Sequence, residues 1–350
     1  MSNATGDPGH AHGSVQPSAD LVEAIRVQAE EHPLIDDKAP ETLTEKCLHL
    51  IHLKAYDQAG KLAAGRDVLD VGCNTGYGTV RLVGSARSVT GVDVSPAAVD
   101  AARTREGAEG VDFRVIDGLG LPFPDDSFDL VTSFQVVEHV ADPMPYLREI
   151  TRVLRPGGQA VFTTPNAAIR LDPGMTPWNR FHAREYRAHE LKDLLGEVFS
   201  DVEVLGMFGV PTLYELEFGR VDFNRRSGRR RLEVAAAKEA AAAAKAAAEA
   251  ATAQAPAPTP KPPPPFTARV RRRLGRTSAG SWLRGALGRT PASAPPATVA
   301  APAPAAPAPV APAPTPPDVD FRDYTVEDLF YSGRDLDRSL DLLALCSVER

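Results

Sequence analysis

Asp93 closes an apolar run, Gly91-Val-Asp-Val94, that follows the glycine-rich stretch Val68-Leu-Asp-Val-Gly-Cys-Asn-Thr-Gly-Tyr-Gly78. A carboxylate placed about 20 residues beyond such a stretch, at a strand end, can accept hydrogen bonds from both hydroxyls of a ribose. Gly72, Asn74 and Gly76 can take the positive φ angles of a sharp turn, and the missing Cβ of glycine lets a ligand come close to the backbone. This chemistry is nucleoside binding. Further on stand two histidines, His139 beside Glu138 and His182 within Trp178-Asn-Arg-Phe-His-Ala-Arg-Glu-Tyr. An imidazole titrates near neutral pH and can take a proton from a hydroxyl. His139 reads equally well as a residue that packs against or caps the next helix.

These groups need elements to hold them. Val68-Leu-Asp-Val71 is short, apolar and bounded by glycine, as a strand buried on both faces should be. A turn, a helix and a second strand ending at Asp93 complete the unit. A dinucleotide site uses the same logic, but its G-x-G-x-x-G spacing counted from Gly72 falls on Asn74 and Tyr77, and both miss. The pattern present is D-x-G-x-N-x-G, in which Asp70 suits a cationic ligand better than a pyrophosphate.

With those residues the chain resembles the class I S-adenosylmethionine-dependent methyltransferases, whose first motif ends in a similar acid and glycine series; Asn74 departs from it at the middle glycine. The later segments keep the family's order: Asp117-Gly-Leu-Gly-Leu121, Phe134-Gln-Val-Val-Glu-His-Val140, and Arg152-Val-Leu-Arg-Pro-Gly-Gly158 leading to Asn166. The resemblance covers roughly residues 45 to 210 and is nearest to ubiquinone-pathway and natural-product enzymes. It implies an α/β, Rossmann-like, seven-stranded sheet whose last strand is antiparallel. It also implies S-adenosylmethionine as cofactor, held by Asp70, Gly72, Asn74, Gly76, Asp93, Val94, Asp117, Gly118 and Gln135. His139 and His182 are the catalytic candidates, for transfer to a small-molecule acceptor at a hydroxyl. Trp178, Phe181 and Tyr186 are candidate walls of an acceptor pocket, Arg180 and Arg184 candidate partners of an anionic group, and Tyr56 a candidate cover for the donor. Some relatives bind a divalent ion through E-x-x-E-H and a later histidine; here Gln135 replaces the first acid, so no stable metal is expected.

The 350 residues carry a net charge of -7 and three cysteines without a C-x-x-C pair. Neither a disulfide framework nor a structural zinc site follows, and a general nucleic-acid binder is disfavoured. No apolar run has membrane-spanning length and the first residues lack a signal-peptide core, so a cytoplasmic location is expected. Four regions are expected: a disordered tail over 1–40, the methyltransferase domain over 41–231, a low-complexity insertion over 232–317, and a completing strand within 318–350. The insertion contains an alanine-rich helix near 235–251, Pro/Ala spacers, and a basic island, Phe266 to Arg289, with seven arginines and no acid. That island offers a contact for anionic membrane or nucleic acid. It therefore supports two other readings: an RNA or tRNA methyltransferase, and a non-enzymatic cofactor-binding scaffold recruited through its arm. The runs at Val202–Phe208 and Ser339–Val348 are expected to form strands six and seven, placing a long disordered insertion inside the final hairpin.

Overall fold

The structure, a computed structural model, describes residues 18–35, 39–105, 107–253 and 320–349. Helix α1 (Ala19–Glu31) and helix α2 (Leu43–Leu62) precede the first strand. Then come β1 (Asp67–Val71), β2 (Ser88–Asp93), α3 (Pro96–Arg103), β3 (Val111–Val115) and β4 (Phe128–Phe134). They are followed by α4 (Pro143–Val153), β5 (Leu154–Pro165), the short α5 (Ala167–Arg170), α6 (Ala188–Gly196) and β6 (Asp201–Gly209). Helix α7 (Pro211–Ala253) leads towards the insertion, and β7 (Leu329–Ser332) and β8 (Asp341–Ser347) follow it.

Strand order is β3-β2-β1-β4-β5-β8-β6-β7. Strands β1 to β5 are parallel to one another, while β8 runs antiparallel to both β5 and β6. The alternation of side chains along β1 sends Val68 into a core beneath α2 and Leu69 into a core shared with α4 and α6. Helix starts are chemically marked. Thr42 and Glu45 form a reciprocal capping box on α2, and Ser95 and Asp142 cap α3 and α4 just before a proline.

The sheet has eight strands, one more than expected, because Leu329–Ser332 adds an edge strand to β6. The strand from the Ser339–Val348 run lies between β5 and β6 and is antiparallel to both, as the resemblance implies for the last strand. One expectation does not hold. The tail expected to be disordered through residue 40 contains α1, whose first turn is capped by Ser18 Oγ accepting from Leu21 N. The alanine-rich helix is present and continues α7 without a break. By contacts, Met1–Ala237 with Pro316–Arg350 forms one unit and Lys238–Thr315 another. The basic island and the proline-rich spacers lie outside the described residues. Among the described residues no helix is long and apolar enough to cross a membrane.

Candidate active site

A cavity of about 640 Å³ opens over the carboxyl ends of the parallel strands, where open α/β sheets place their ligands. On one side the chain leaves β1 through Gly72, Asn74 and Gly76, with φ of 80°, 47° and 72°. Asparagine is among the few residues with a Cβ that occupy this region, so the departure from glycine is sterically tolerated. Asp93, at the end of β2, receives the Asn74 N–H at 2.8 Å and the Ser95 N–H at 2.9 Å, one on each carboxylate oxygen. Burial raises its pKa, and the two N–H donors partly offset this. Each oxygen keeps a lone pair for a further donor. Val94, Ile116, Gly118, Leu119 and Leu121 form the apolar wall beside it.

The other side depends on side-chain pairs. After β4 the chain turns at Gln135, with φ of 58°, and makes a 3-10 turn over Val137–His139. The Glu138 carbonyl accepts from Ala183 N at 2.7 Å and Arg184 N at 3.1 Å, which draws the segment carrying His182 against His139. The two imidazoles meet edge to face, 4.7 Å between centres. His139 Nδ1 lies 2.9 Å from the Phe181 carbonyl, which can only accept, so this nitrogen carries the proton and Nε2 the lone pair. Burial, then the neighbouring His182, pushes the His139 pKa down to about 3. His182 Nδ1 lies 2.8 Å from Glu185 Oε1, and Arg170 grips the same carboxylate with Nε and Nη2 at 2.8 and 2.9 Å. Burial works to raise the Glu185 pKa, but the hydrogen bonds from His182 and Arg170 hold it below the usual range. Glu185 is therefore an anion that orients His182.

Most of the residues named from the sequence converge here. Gly72, Asn74, Asp93, Val94, Gly118, Gln135, His139 and His182 all line the cavity. Asp70, Gly76 and Asp117 are not among its lining residues. Asp70 is buried beneath the turn and accepts from Thr79 Oγ1, Thr132 Oγ1 and Tyr56 Oη. A Cβ on Gly76 would lie 2.7 Å from the Phe113 ring, so that glycine serves packing. Asp117 is exposed and accepts from Leu119 N. Tyr56 and Phe181 reach the cavity, whereas Tyr186 belongs to the core and Trp178 stacks on Arg170 with 4.3 Å to the ring centre. Arg180 pairs with Glu31 and Arg184 with Glu190 at the surface.

Sequence reasoning missed Asp341, which lines the cavity from the start of β8 and receives Gln135 Nε2 at 2.9 Å. Its signal was an acid inside an otherwise apolar strand. Glu138 is the remaining acid of the E-x-x-E-H metal pattern that Gln135 interrupts. It is fully buried, accepts from Thr164 Oγ1 through Oε2, and leaves Oε1 without a partner. Burial is the main force pushing the carboxyls of Glu138 and Asp341 up to about 8. Among the described residues Glu138, His139 and His182 offer ligand atoms within 4.8 Å of one another, a mixed nitrogen and oxygen set able to hold a divalent transition metal.

Residues 69–162 match the family described as a methyltransferase domain. A probable S-adenosylmethionine-dependent methyltransferase of Mycolicibacterium smegmatis is 43% identical over 168 residues, which make up 47% of this chain and 64% of that protein. The match thus spans just under two thirds of that relative. Another probable S-adenosylmethionine-dependent methyltransferase, from Mycobacterium tuberculosis, is 36% identical over 213 residues, 60% of this chain and 75% of the relative. The 27-O-demethylrifamycin SV methyltransferase of Amycolatopsis mediterranei is 32% identical over 152 residues, 40% of this chain and 53% of that enzyme. Glycine turn, ribose-type carboxylate, strand order and relatives agree: the chain belongs to the S-adenosylmethionine-dependent methyltransferases.

Proposed function

We propose that this enzyme methylates a hydroxyl group of a small-molecule acceptor, with His182 as the general base. The observation that carries this reading is the Arg170–Glu185–His182 series at the cavity wall. The carboxylate fixes the proton on His182 Nδ1 and leaves Nε2 to accept a hydroxyl proton. His139, whose pKa burial pushes down to about 3, stays neutral at working pH, and its Nε2 lone pair can accept from a second donor on the acceptor molecule. The relative that acts on a rifamycin oxygen is consistent with this choice.

The cavity suits the donor. Its volume of about 640 Å³ holds a nucleoside-sized ligand with room beside it. Asp93 is the group for the ribose hydroxyls, the turn at Gly72 and Asn74 gives backbone approach, and Val94, Gly118 and Leu119 flank the base. When bound, S-adenosylmethionine supplies a methyl group already activated on a sulfonium. The protein's main work is then alignment, for which effective molarities on the order of 10⁵ M are attainable.

The test uses radiolabelled S-adenosylmethionine with a panel of glycosides, phenols and quinols. Label in an alkali-stable ether supports the reading, and label confined to nitrogen or carbon overturns it. The unpartnered Oε1 of Glu138 favours a second reading, a divalent cation on Glu138, His139 and His182. Loss of turnover with EDTA, restored by a divalent metal, would favour it over the base. The RNA and scaffold readings rest on residues 266–289, outside the described residues, and the membrane or nucleic-acid contact rests there too.

A further inference from the structure

We propose that residues 19–35 form the outer wall of the S-adenosylmethionine pocket and are clipped to the turn after β1 by Asn74, so that donor binding and the seating of α1 are linked. Leu21, Ala24, Ile25, Gln28 and His32 recur at helical spacing and all line the cavity. The opposite face carries the exposed pairs of Arg26 with Glu23 and Glu30. Yet no residue of α1 is buried. Its apolar stripe faces the cavity instead of a core, so a ligand there supplies the surface the stripe lacks.

The contacts point to the nucleoside as that ligand. A Cβ built on Gly118 would stand 3.0 Å from Ile25 Cγ2 and 3.1 Å from Val94 Cγ1, so α1 closes on the wall next to Asp93. The clip is specific. Asn74 Oδ1 accepts from Ile35 N at 2.9 Å, and Thr75 Oγ1 donates to the Ile35 carbonyl at 2.9 Å. Through its own N–H, Asn74 also holds Asp93. Farther along, Gln28 Nε2 donates to the Phe181 carbonyl at 2.9 Å, the carbonyl that also faces His139 Nδ1. A glycine at position 74 would keep the turn, whose φ of 47° glycine adopts freely, but lose the Asn74 bond of the clip and leave only that of Thr75. The asparagine is thus explained as an anchor, not as a tolerated fault in the motif.

The inference concerns the donor half alone, and its test needs no acceptor, so its failure is separable from failure of the O-methylation reading. S-adenosylhomocysteine is titrated by calorimetry into the full chain and into Asn74→Gly, Ile25→Asp and Val22→Asp. Val22 is 49% exposed and absent from the cavity lining, and serves as the control. Both test variants should weaken binding about tenfold or more, the size of a lost hydrogen bond or a charge set against an apolar wall. Val22→Asp should bind as the parent does. Amide exchange over residues 19–31 should slow on saturation with S-adenosylhomocysteine in the parent, and slow less in Asn74→Gly. Parent-like affinity in both test variants, equal loss in Val22→Asp, or no change in exchange on saturation would each overturn the proposal. The melting temperature of each ligand-free variant separates loss of binding from loss of folding.

Discussion

The two halves of the cavity are built by different means. The proposed donor half is centred on one stretch, Val68 to Val94, flanked by Gly118, Leu119 and helix α1, and depends on backbone shape: positive φ at Gly72, Asn74 and Gly76, with Asp93 fixed by main-chain N–H groups. The proposed acceptor half is gathered from residues 135–139, 170–185 and 341, and is held by side-chain pairs such as Glu185 with Arg170 and Gln135 with Asp341. A backbone site is stiff and serves one ligand in many enzymes. A site of exchangeable pairs can be altered residue by residue, which suits the half that must recognise a particular acceptor.

Variants should sort by which half of the cavity they touch. The largest effect is expected from His182→Ala: kcat falls about 10²- to 10⁴-fold, the usual worth of a positioned base, while S-adenosylhomocysteine affinity is unchanged. A parallel loss of affinity would erase the distinction. Asp93→Ala should do the reverse and weaken the donor about 100-fold by calorimetry, since two hydrogen bonds to a charged group are lost. Glu185→Gln should lower kcat about tenfold with little change in donor affinity, and should shift the pH profile, because a neutral amide no longer fixes the His182 tautomer.

The smallest effect is on stability. Folded carboxyls at about 8 bind protons that the unfolded chain has released above roughly 4.5, so unfolding gives up protons and stability falls as pH rises to about 8. His139, lowered to about 3, acts oppositely, but only below about 6.5. From pH 6.5 to 8.5 the melting temperature should therefore decline, and Glu138→Gln or Asp341→Asn should flatten that decline. A parent curve that does not fall across this range would contradict the burial of these acids in protonated form.

The same division explains what could be read from the chain. Positive φ at Gly72, Asn74 and Gly76 and the carboxylate at Asp93 follow from local residue type and spacing, whereas the sheet arrangement follows from the resemblance to the methyltransferase family. Asp70 and Gly76 were given to the ligand because both sit in the motif. Whether a side chain points into the cavity or beneath it depends on neighbours such as Tyr56, Thr132 and Phe113, which no spacing reveals. Asp341 escaped because its partner Gln135 lies 206 positions away, and Arg170 because it meets Glu185 and Trp178 across an irregular segment that has no periodic pattern to read. Helix α1 escaped because its stripe is weak and its companion surface is a cavity.

Strand β8 sits between β5 and β6 although the whole insertion separates it from β6 in sequence. During synthesis, a ribosome must therefore pass the full low-complexity stretch before the sheet can close. Until then β5 and β6 present unpaired edges, a hazard for association with other nascent chains. A stretch rich in proline and alanine offers little to pair with those edges, so its composition protects the half-made sheet during the delay that its length imposes.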